Sequence, residues 1–430
     1  MHPALVPMLG PAGRAGFTLV ASSILNAPAS LSRAQLAASA TALGPDGLAW
    51  QGFGAHAPRF AGAPRRLLIE GQRTNSVRNP RGEGALAGVV GSGGALPTNW
   101  TQSRVPELTI TVIGAVTVDG LPGVRMRIAG TTAPGGGWAL IEFEAAANIP
   151  AAPSQAWAGS LFWRLAAGSL PAGTLSRVFV SGRNASNAEV AANIFSTTAV
   201  PAATLSRIVV PAPLTGDTTL ARINHRAAWS FAANTAVDMT LDLCAPQLEQ
   251  AAFASTPILP PVGAPAASTR GADLLSASLA SLGIGANGAC TVLWSGVIPQ
   301  PAPGGAALAS QFIACLDNGT DASRFVLGNL SGGPSVAVGA NASFSAIGTM
   351  TPGTPFRAGC SIDGAGRIAG SFNGNAVVAQ TGGPTAGLTT LRIGNTATGN
   401  SALCGETALL RVIPGAMSDA ALQAQVAALS

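Results

Sequence analysis

Tyrosine and lysine are both missing from this chain of 430 residues, so every one of its 23 basic residues is an arginine. Without lysine there is no Schiff-base or pyridoxal chemistry and no P-loop lysine; without tyrosine there is no tyrosine nucleophile of the sialidase kind. Only three histidines occur, His2, His56 and His225, which excludes a histidine-rich metal site within one chain. The five cysteines (Cys244, Cys290, Cys315, Cys360, Cys404) lie at least 25 residues apart. No C-x-x-C pair exists, which removes the zinc ribbon and the thioredoxin motif, and buried free thiols are expected. Charged residues make up only 10%, against roughly 25% in an average globular domain. No run of 18 uncharged, mainly apolar residues reads as a membrane span, and no basic residue precedes Arg14. Neither membrane insertion nor a signal peptide is therefore expected, and synthesis in the bacterial cytoplasm is.

What is present points to β-structure. Hydrophobic residues are 47% and mean hydropathy is +0.38, enough apolar surface for real cores and the opposite of a disordered composition. The 54 glycines and 31 prolines, a fifth of the chain, supply turns without a fixed period, so an all-β fold of two or three domains is expected rather than a solenoid. Charge is uneven. Residues 1–81 hold eight arginines against Asp46 and Glu70, a net of +6, whereas the remainder sums to −1. This suggests a basic docking end and a nearly neutral presenting body. The arginines are scattered without a helical stripe, so nucleic acid is not an expected partner.

Along the chain, Leu31–Ala38 reads as a short amphipathic helix and 76–98 as a Gly/Arg-rich linker. Alternation then begins: Thr109–Val118 and Gly123–Ile128 around the Asp119-Gly120 turn, then Trp138–Glu144, Ala156–Leu165, Arg177–Ser181 and Ser206–Val210. In Val237–Cys244, Val237, Met239, Leu241 and Leu243 point one way and Asp238, Thr240, Asp242 and Cys244 the other, as in a sandwich strand. The prolines 257–265 mark a boundary. Beyond it, strands are expected at Cys290–Ile298, Gln311–Leu316, Arg324–Leu327, Phe356–Ile362, Arg367–Phe372, Ala376–Gln380, Leu388–Ile393 and Ala408–Val412. A closing helix is capped by Ser418.

Several segments resemble a known family. Ala57-Pro58-Arg59-Phe60, then Leu67-Leu68-Ile69-Glu70-Gly71-Gln72-Arg73-Thr74-Asn75, is similar to the N-terminal region of phage, prophage and gene-transfer-agent virion proteins of the head-spike, head-fibre or tail kind. Pro246-Gln247-Leu248-Glu249 resembles the strand that ends their carbohydrate-binding-module-like sandwich. Thr269-Arg270-Gly271-Ala272-Asp273 resembles their junction into a concanavalin/laminin-G-like domain. The spacing between Phe60 and Leu67 is shorter here. The resemblance implies a virion-anchoring segment at 1–75, a linker at 76–98, and a carbohydrate-binding-module-like sandwich at 99–260. A concanavalin/laminin-G-like sandwich with a C-terminal helix would follow at 261–430, both sandwiches being antiparallel jelly rolls. It also implies location in a phage-like particle, capsid or tail proteins and host polysaccharide as partners, a homotrimeric state, and anchoring through Arg59, Phe60, Leu67, Leu68, Ile69, Arg73 and Asn75.

Candidate site residues follow from sugar chemistry, in which an aromatic ring stacks on a pyranose and polar groups reach its hydroxyls. Trp100 and Trp138, beside Gly/Pro-rich loops, are the candidate platforms, although core filling is the commoner fate of tryptophan. Trp157 and Trp163 share a strand face and are expected in the core. Arg222, His225 and Arg226 are the basic cluster of the second domain, fit for an acidic glycan or for a salt bridge. Glu142 and Glu144 stand roughly 6–7 Å apart along a strand, close to the inverting-glycosidase spacing of about 6.5–9.5 Å. No cleft pattern accompanies them, and no G-x-S-x-G elbow occurs. No catalytic residue and no cofactor are therefore assigned. Asp317-Asn318-Gly319-Thr320-Asp321 offers oxygen ligands for calcium, or simply a hairpin turn. The expected function is a non-catalytic host-glycan adhesin, with a purely structural decoration protein or a capsule depolymerase as alternatives.

Overall fold

A computed structural model describes residues 16–21, 24–33, 40–145, 149–302 and 310–429. Strand accounts for 54% of the residues and helix for 3%, so the all-β class holds. The strands form two antiparallel sandwiches with separate hydrophobic cores.

The first sandwich pairs a seven-stranded sheet with a five-stranded one. The large sheet contains Leu108–Val118, Leu121–Thr131, Ala236–Glu249, Ala156–Ser169 and Ser206–Pro213; the small one runs Thr101–Arg104, Gly137–Glu142, Leu220–Phe231, Leu175–Asn184, Glu189–Thr198. Val118 pairs with Leu121, leaving Asp119 and Gly120 as a two-residue hairpin loop. Both have positive φ (49° and 76°), the conformation that matches the strand twist and that an Asp-Gly pair tolerates. Side chains of period two fill the interior: Met239, Leu241 and Leu243 from one sheet, Ile141, Ala227 and Trp229 from the other. Trp157 and Trp163 lie in that core, as their strand parity predicts. The expected linker 76–98 belongs to this unit. Gly88–Val90 pairs with Thr111 and Val112, and the buried Asn79 amide donates to the Glu83 and Thr98 carbonyls.

The second sandwich consists of a nine-stranded and a seven-stranded sheet. Here the structure corrects the division at residue 75. Phe17–Ala21 pairs with the strand Gly405–Pro414, as does Arg66–Ile69, and Ser30–Ser32 pairs with Leu274–Ser278. Leu19, Val20, Phe60, Leu67 and Ile69 sit in the same core as Val292, Trp294 and Leu410. The N-terminal segment therefore supplies strands to the sheets of residues 261–430, and its Leu19, Val20, Phe60, Leu67 and Ile69 enter their core. The first sandwich is an insertion into the second. Its entry and exit run side by side as the antiparallel pair Arg73–Asn75 and Ser268–Arg270.

The helix expected at Leu31–Ala38 is not formed at its start, where Leu31 and Ser32 are strand, and 34–38 lie outside the described residues. The closing helix is Asp419–Ala428, capped by the Ser418 hydroxyl accepting from the Ala421 N–H at 3.3 Å, with Leu422 and Val426 buried. All five cysteines are free, and four are buried. Burial pushes the Cys244 thiol up to about 12, so it is inert as a nucleophile. Among the described residues, no helix is long and apolar enough to cross a membrane.

Candidate functional site

The motif residues behind the family resemblance converge at the junction of the two sandwiches. Arg59 donates to Glu70 Oε2 (2.7 Å) and the Thr41 carbonyl (2.9 Å), and pairs with Asp273. Asp273 also accepts from Arg33 (2.7 Å) and from the Glu70 backbone N–H (3.0 Å). Glu70 receives Arg270 (2.9 Å) and both the hydroxyl and the N–H of Thr256 (2.6 and 2.9 Å). Glu249 takes Gln247, the Ser255 N–H and the Ser255 hydroxyl (2.7, 2.8 and 2.6 Å). Asn75 completes the knot, donating to the Pro246 and Ile258 carbonyls and accepting from the Leu248 N–H. Burial alone would raise the Glu70 carboxyl, but Arg270, Arg59 and the Thr256 bonds outweigh it and bring it down to about 2.

This arrangement corrects the anchoring assignment. Arg59, Phe60, Leu67, Leu68, Ile69 and Asn75 are all buried in the chain's own core, its knot or the small cluster of Ala42, Ala61 and Leu68, so these side chains are not displayed to a capsid. Arg73 is half-buried, with its guanidinium over the Phe253 ring.

A different set of residues faces outward. On the five-stranded sheet, alternation sends Ile141, His225, Ala227 and Trp229 into the core and the intervening side chains to the opposite face. Strand register then lays out that outer face. Glu142 stands opposite Arg226, which stands opposite Phe179; Trp138 stands opposite Ser230, which stands opposite Leu175. Trp138 is 40% and Leu175 39% exposed, so one row presents two apolar side chains flanking a hydroxyl. The Phe179 ring holds the guanidiniums of Arg177 and Arg226, each at about 5 Å (4.9 and 5.0 Å), in cation–π range. Glu142 accepts from Thr101 (3.1 Å) and Arg183 (3.2 Å), and Glu189 pairs with Arg226 (2.5 Å) and Arg183 (3.6 Å). An apolar row beside a band of fixed donors and acceptors can hold a flat, hydroxyl-rich chain: rings against the row, hydroxyls against the band.

The sequence-predicted residues divide around this face. Trp138, Arg222 and Arg226 lie on it, with Glu142. Trp100 does not: it is buried, stacked edge-on against Phe143 (5.0 Å), with its indole N–H on the Asn79 carbonyl (3.0 Å). His225 does not either. Being one residue out of phase with Arg226, it points inward and bridges the sheets, Nδ1 2.9 Å from the Phe179 carbonyl and Nε2 3.0 Å from the Ser160 carbonyl. Burial pushes its pKa down, with those two carbonyls opposing. Gly159 makes the room: a Cβ there would meet His225 Nδ1 at 2.9 Å. Glu144 is buried and gripped by Arg78 (2.5 Å), so the two carboxylates Glu142 and Glu144 face different arginines rather than a common cleft. Asp317 pairs with Arg392 (2.6 Å) and accepts from the Gly319 N–H (2.8 Å); Asp321 pairs with Arg324 and accepts from the Thr398 hydroxyl. Those oxygens are taken up within the turn and by the neighbouring Arg324, Arg392 and Thr398.

Sequence reading missed Arg177, Phe179, Arg183, Leu175 and Glu189 as members of this face. The signal lies in Leu220–Phe231, whose inward set Ile223, His225, Ala227, Trp229, Phe231 alternates strictly but is masked by alanine and histidine.

No protein-family model matches the chain, and no curated protein does. Solved structures similar to part of it include a carbohydrate-binding module of the β-sandwich superfamily (14% identity, TM-score 0.25, 35% of this chain and 56% of that one). A Stig cyclase from Fischerella sp. TAU is similar at 11% identity and TM-score 0.29, over 41% of this chain and 97% of that one. The enzymatically active domain of tailspike protein 4 of bacteriophage CBA120 is similar at 10% identity and TM-score 0.26, over 35% of this chain and 19% of that one. The chain thus spans little more than half of the first and a fifth of the tailspike domain. Likeness at this level says nothing of activity, and the geometry of the outer face has to carry the functional argument.

Proposed function

We propose that this chain is a non-catalytic glycan adhesin of a phage-like particle, a head or tail fibre or spike protein that holds host-surface polysaccharide on the outer face of its five-stranded sheet. The observation that carries the reading is that face: Trp138 and Leu175 exposed in one row, with Arg177, Arg226, Arg183 and Glu142 fixed in the rows beside it. A sheet face bears ligand on rigid elements, which suits reversible binding. Weak single contacts would gain strength from many copies on one particle, a homotrimer included. Capsid or tail proteins are the proposed assembly partners, reached through surfaces other than the internal knot. Glu142 and Glu144, each occupied by its own arginine, favour adhesion over hydrolysis.

The test is binding of the intact chain to host cells and to a glycan array, with released sugars assayed in the same samples. Saturable binding without release is expected, and it should be lost in Trp138→Ala. No binding by a folded, correctly assembled sample would move the assignment to a structural decoration protein, and sugar release would move it to a depolymerase.

A further inference from the structure

Resting on the adhesin reading, we infer that the glycan held on this face is anionic, a polysaccharide bearing carboxylates. The argument begins with charge. The outer face carries Arg177, Arg183, Arg222 and Arg226 against Glu142 and Glu189. Both carboxylates are taken up by Arg183 and Arg226. Arg222 reaches only a backbone carbonyl, that of Ala185 at 2.8 Å. Arg177 has its guanidinium over Phe179 and makes no hydrogen bond or ion pair among the described residues. Two cations on one sheet face therefore have no anion.

Register sharpens the point. Arg183 and Arg222 stand directly opposite each other across the ladder between their strands, and like charges in that position destabilise a sheet. The outer face of the seven-stranded sheet in the same sandwich shows the alternative. There, Arg127 has Asp238, and Arg125 and Arg164 share Asp242, each at 2.7 Å. Those three arginines have carboxylate partners, and Arg207, the fourth on that face, is half-buried and donates to the Ser160 hydroxyl and the Ser255 carbonyl. Arg177 and Arg222 on the five-stranded face have no carboxylate among the described residues. A carboxylate between Arg177 and Arg226, or beside Arg222, makes charge-assisted bonds roughly twice as strong as neutral ones. Glu142 and Glu189 can also accept sugar hydroxyls, which favours a hydroxyl-rich glycan over a nucleic acid. Trp138 and Leu175 remain free to lie against the pyranose rings.

The experiment uses the intact chain and four carboxylated polymers: polygalacturonate, alginate, hyaluronan and polysialate. Each is paired with its fully methyl-esterified form, which keeps the backbone and removes the charge. At least one acid form is expected to bind roughly tenfold or more tightly than its own ester, with affinity falling as salt rises from about 50 to about 200 mM. Arg177→Gln and Arg222→Gln should each weaken that binding several-fold without lowering the thermal transition by more than a few degrees, since neither has a carboxylate to leave unpaired and Arg222→Gln also removes the like charge facing Arg183. Equal affinity for acid and ester, or tighter binding of a neutral glycan, overturns the inference and leaves the adhesin standing. Binding of a single-stranded oligodeoxynucleotide as tightly as the best uronate also overturns it. Failure of every glycan, charged or neutral, overturns the inference and the adhesin reading together.

Discussion

Replacing Glu70 by glutamine keeps its shape and removes one negative charge from a knot where Arg59 and Arg270 are both almost wholly buried. Two guanidiniums would then face an amide whose NH2 group can only donate. Breaking a buried pair from one side costs about 3–5 kcal/mol, because the remaining charge stays desolvated. A second, independent figure comes from acid. The Glu70 carboxyl lies near pH 2 in the folded chain against 4.5 for the free group. At about 1.4 kcal/mol per unit, that difference corresponds to about 3 kcal/mol. A carboxyl lowered on folding stabilises fully above its unfolded value. The loss therefore sets in as pH falls through 4.5 and is complete near 2. Urea unfolding of the wild type and Glu70→Gln, followed by tryptophan fluorescence at a series of pH values, reads both quantities. The variant should be weaker by about 3–5 kcal/mol at neutral pH, and the two proteins should converge toward pH 2. A loss below about 1 kcal/mol, or an unchanged gap at low pH, would refute the account of the knot.

Two further outcomes follow from the same geometry. His225 has its pKa lowered from 6.5 by burial, so the unfolded chain binds its proton first. Stability should be full above pH 6.5 and decline as pH falls below it, and His225→Gln should flatten that slope below pH 6.5. A fragment of residues 261–430 should fail to fold cooperatively, lacking the strands Phe17–Ala21 and Arg66–Ile69, whereas 76–260 should fold; circular dichroism melts of the two fragments decide.

How much of this was legible in the sequence depended on distance along the chain. Val237–Cys244 could be read because its apolar and polar residues alternate without interruption, and Asp119-Gly120 because the turn chemistry is local. The role of Phe17–Ala21 could not: its partner is Gly405–Pro414, nearly the whole chain away, and only that pairing distinguishes a sandwich strand from an anchor. The motif around Glu70 stood out as a pattern, but its purpose emerges only when Thr256, Arg270 and Asp273 arrive beside it. For the candidate face, grouping Arg222, His225 and Arg226 by nearness in sequence hid the strand's period of two, which separates His225 from the arginines. Trp100 shows the same limit. A Gly/Pro-rich neighbourhood suggested exposure, yet the segment 76–98 folds over it and supplies the Asn79 carbonyl that its indole needs.

Footprinting by hydroxyl radicals, with and without bound glycan, tests most directly whether the five-stranded face is the ligand site. Of the seven tryptophans, five are buried and Trp50 is half-buried, so Trp138 should be the readily oxidised one. Glycan should protect Trp138 and Leu175 together while leaving Ile24, Leu48 and Val262, exposed elsewhere on the chain, as reactive as before. Protection confined to the second sandwich, with Trp138 still oxidised at its free rate, would contradict the account.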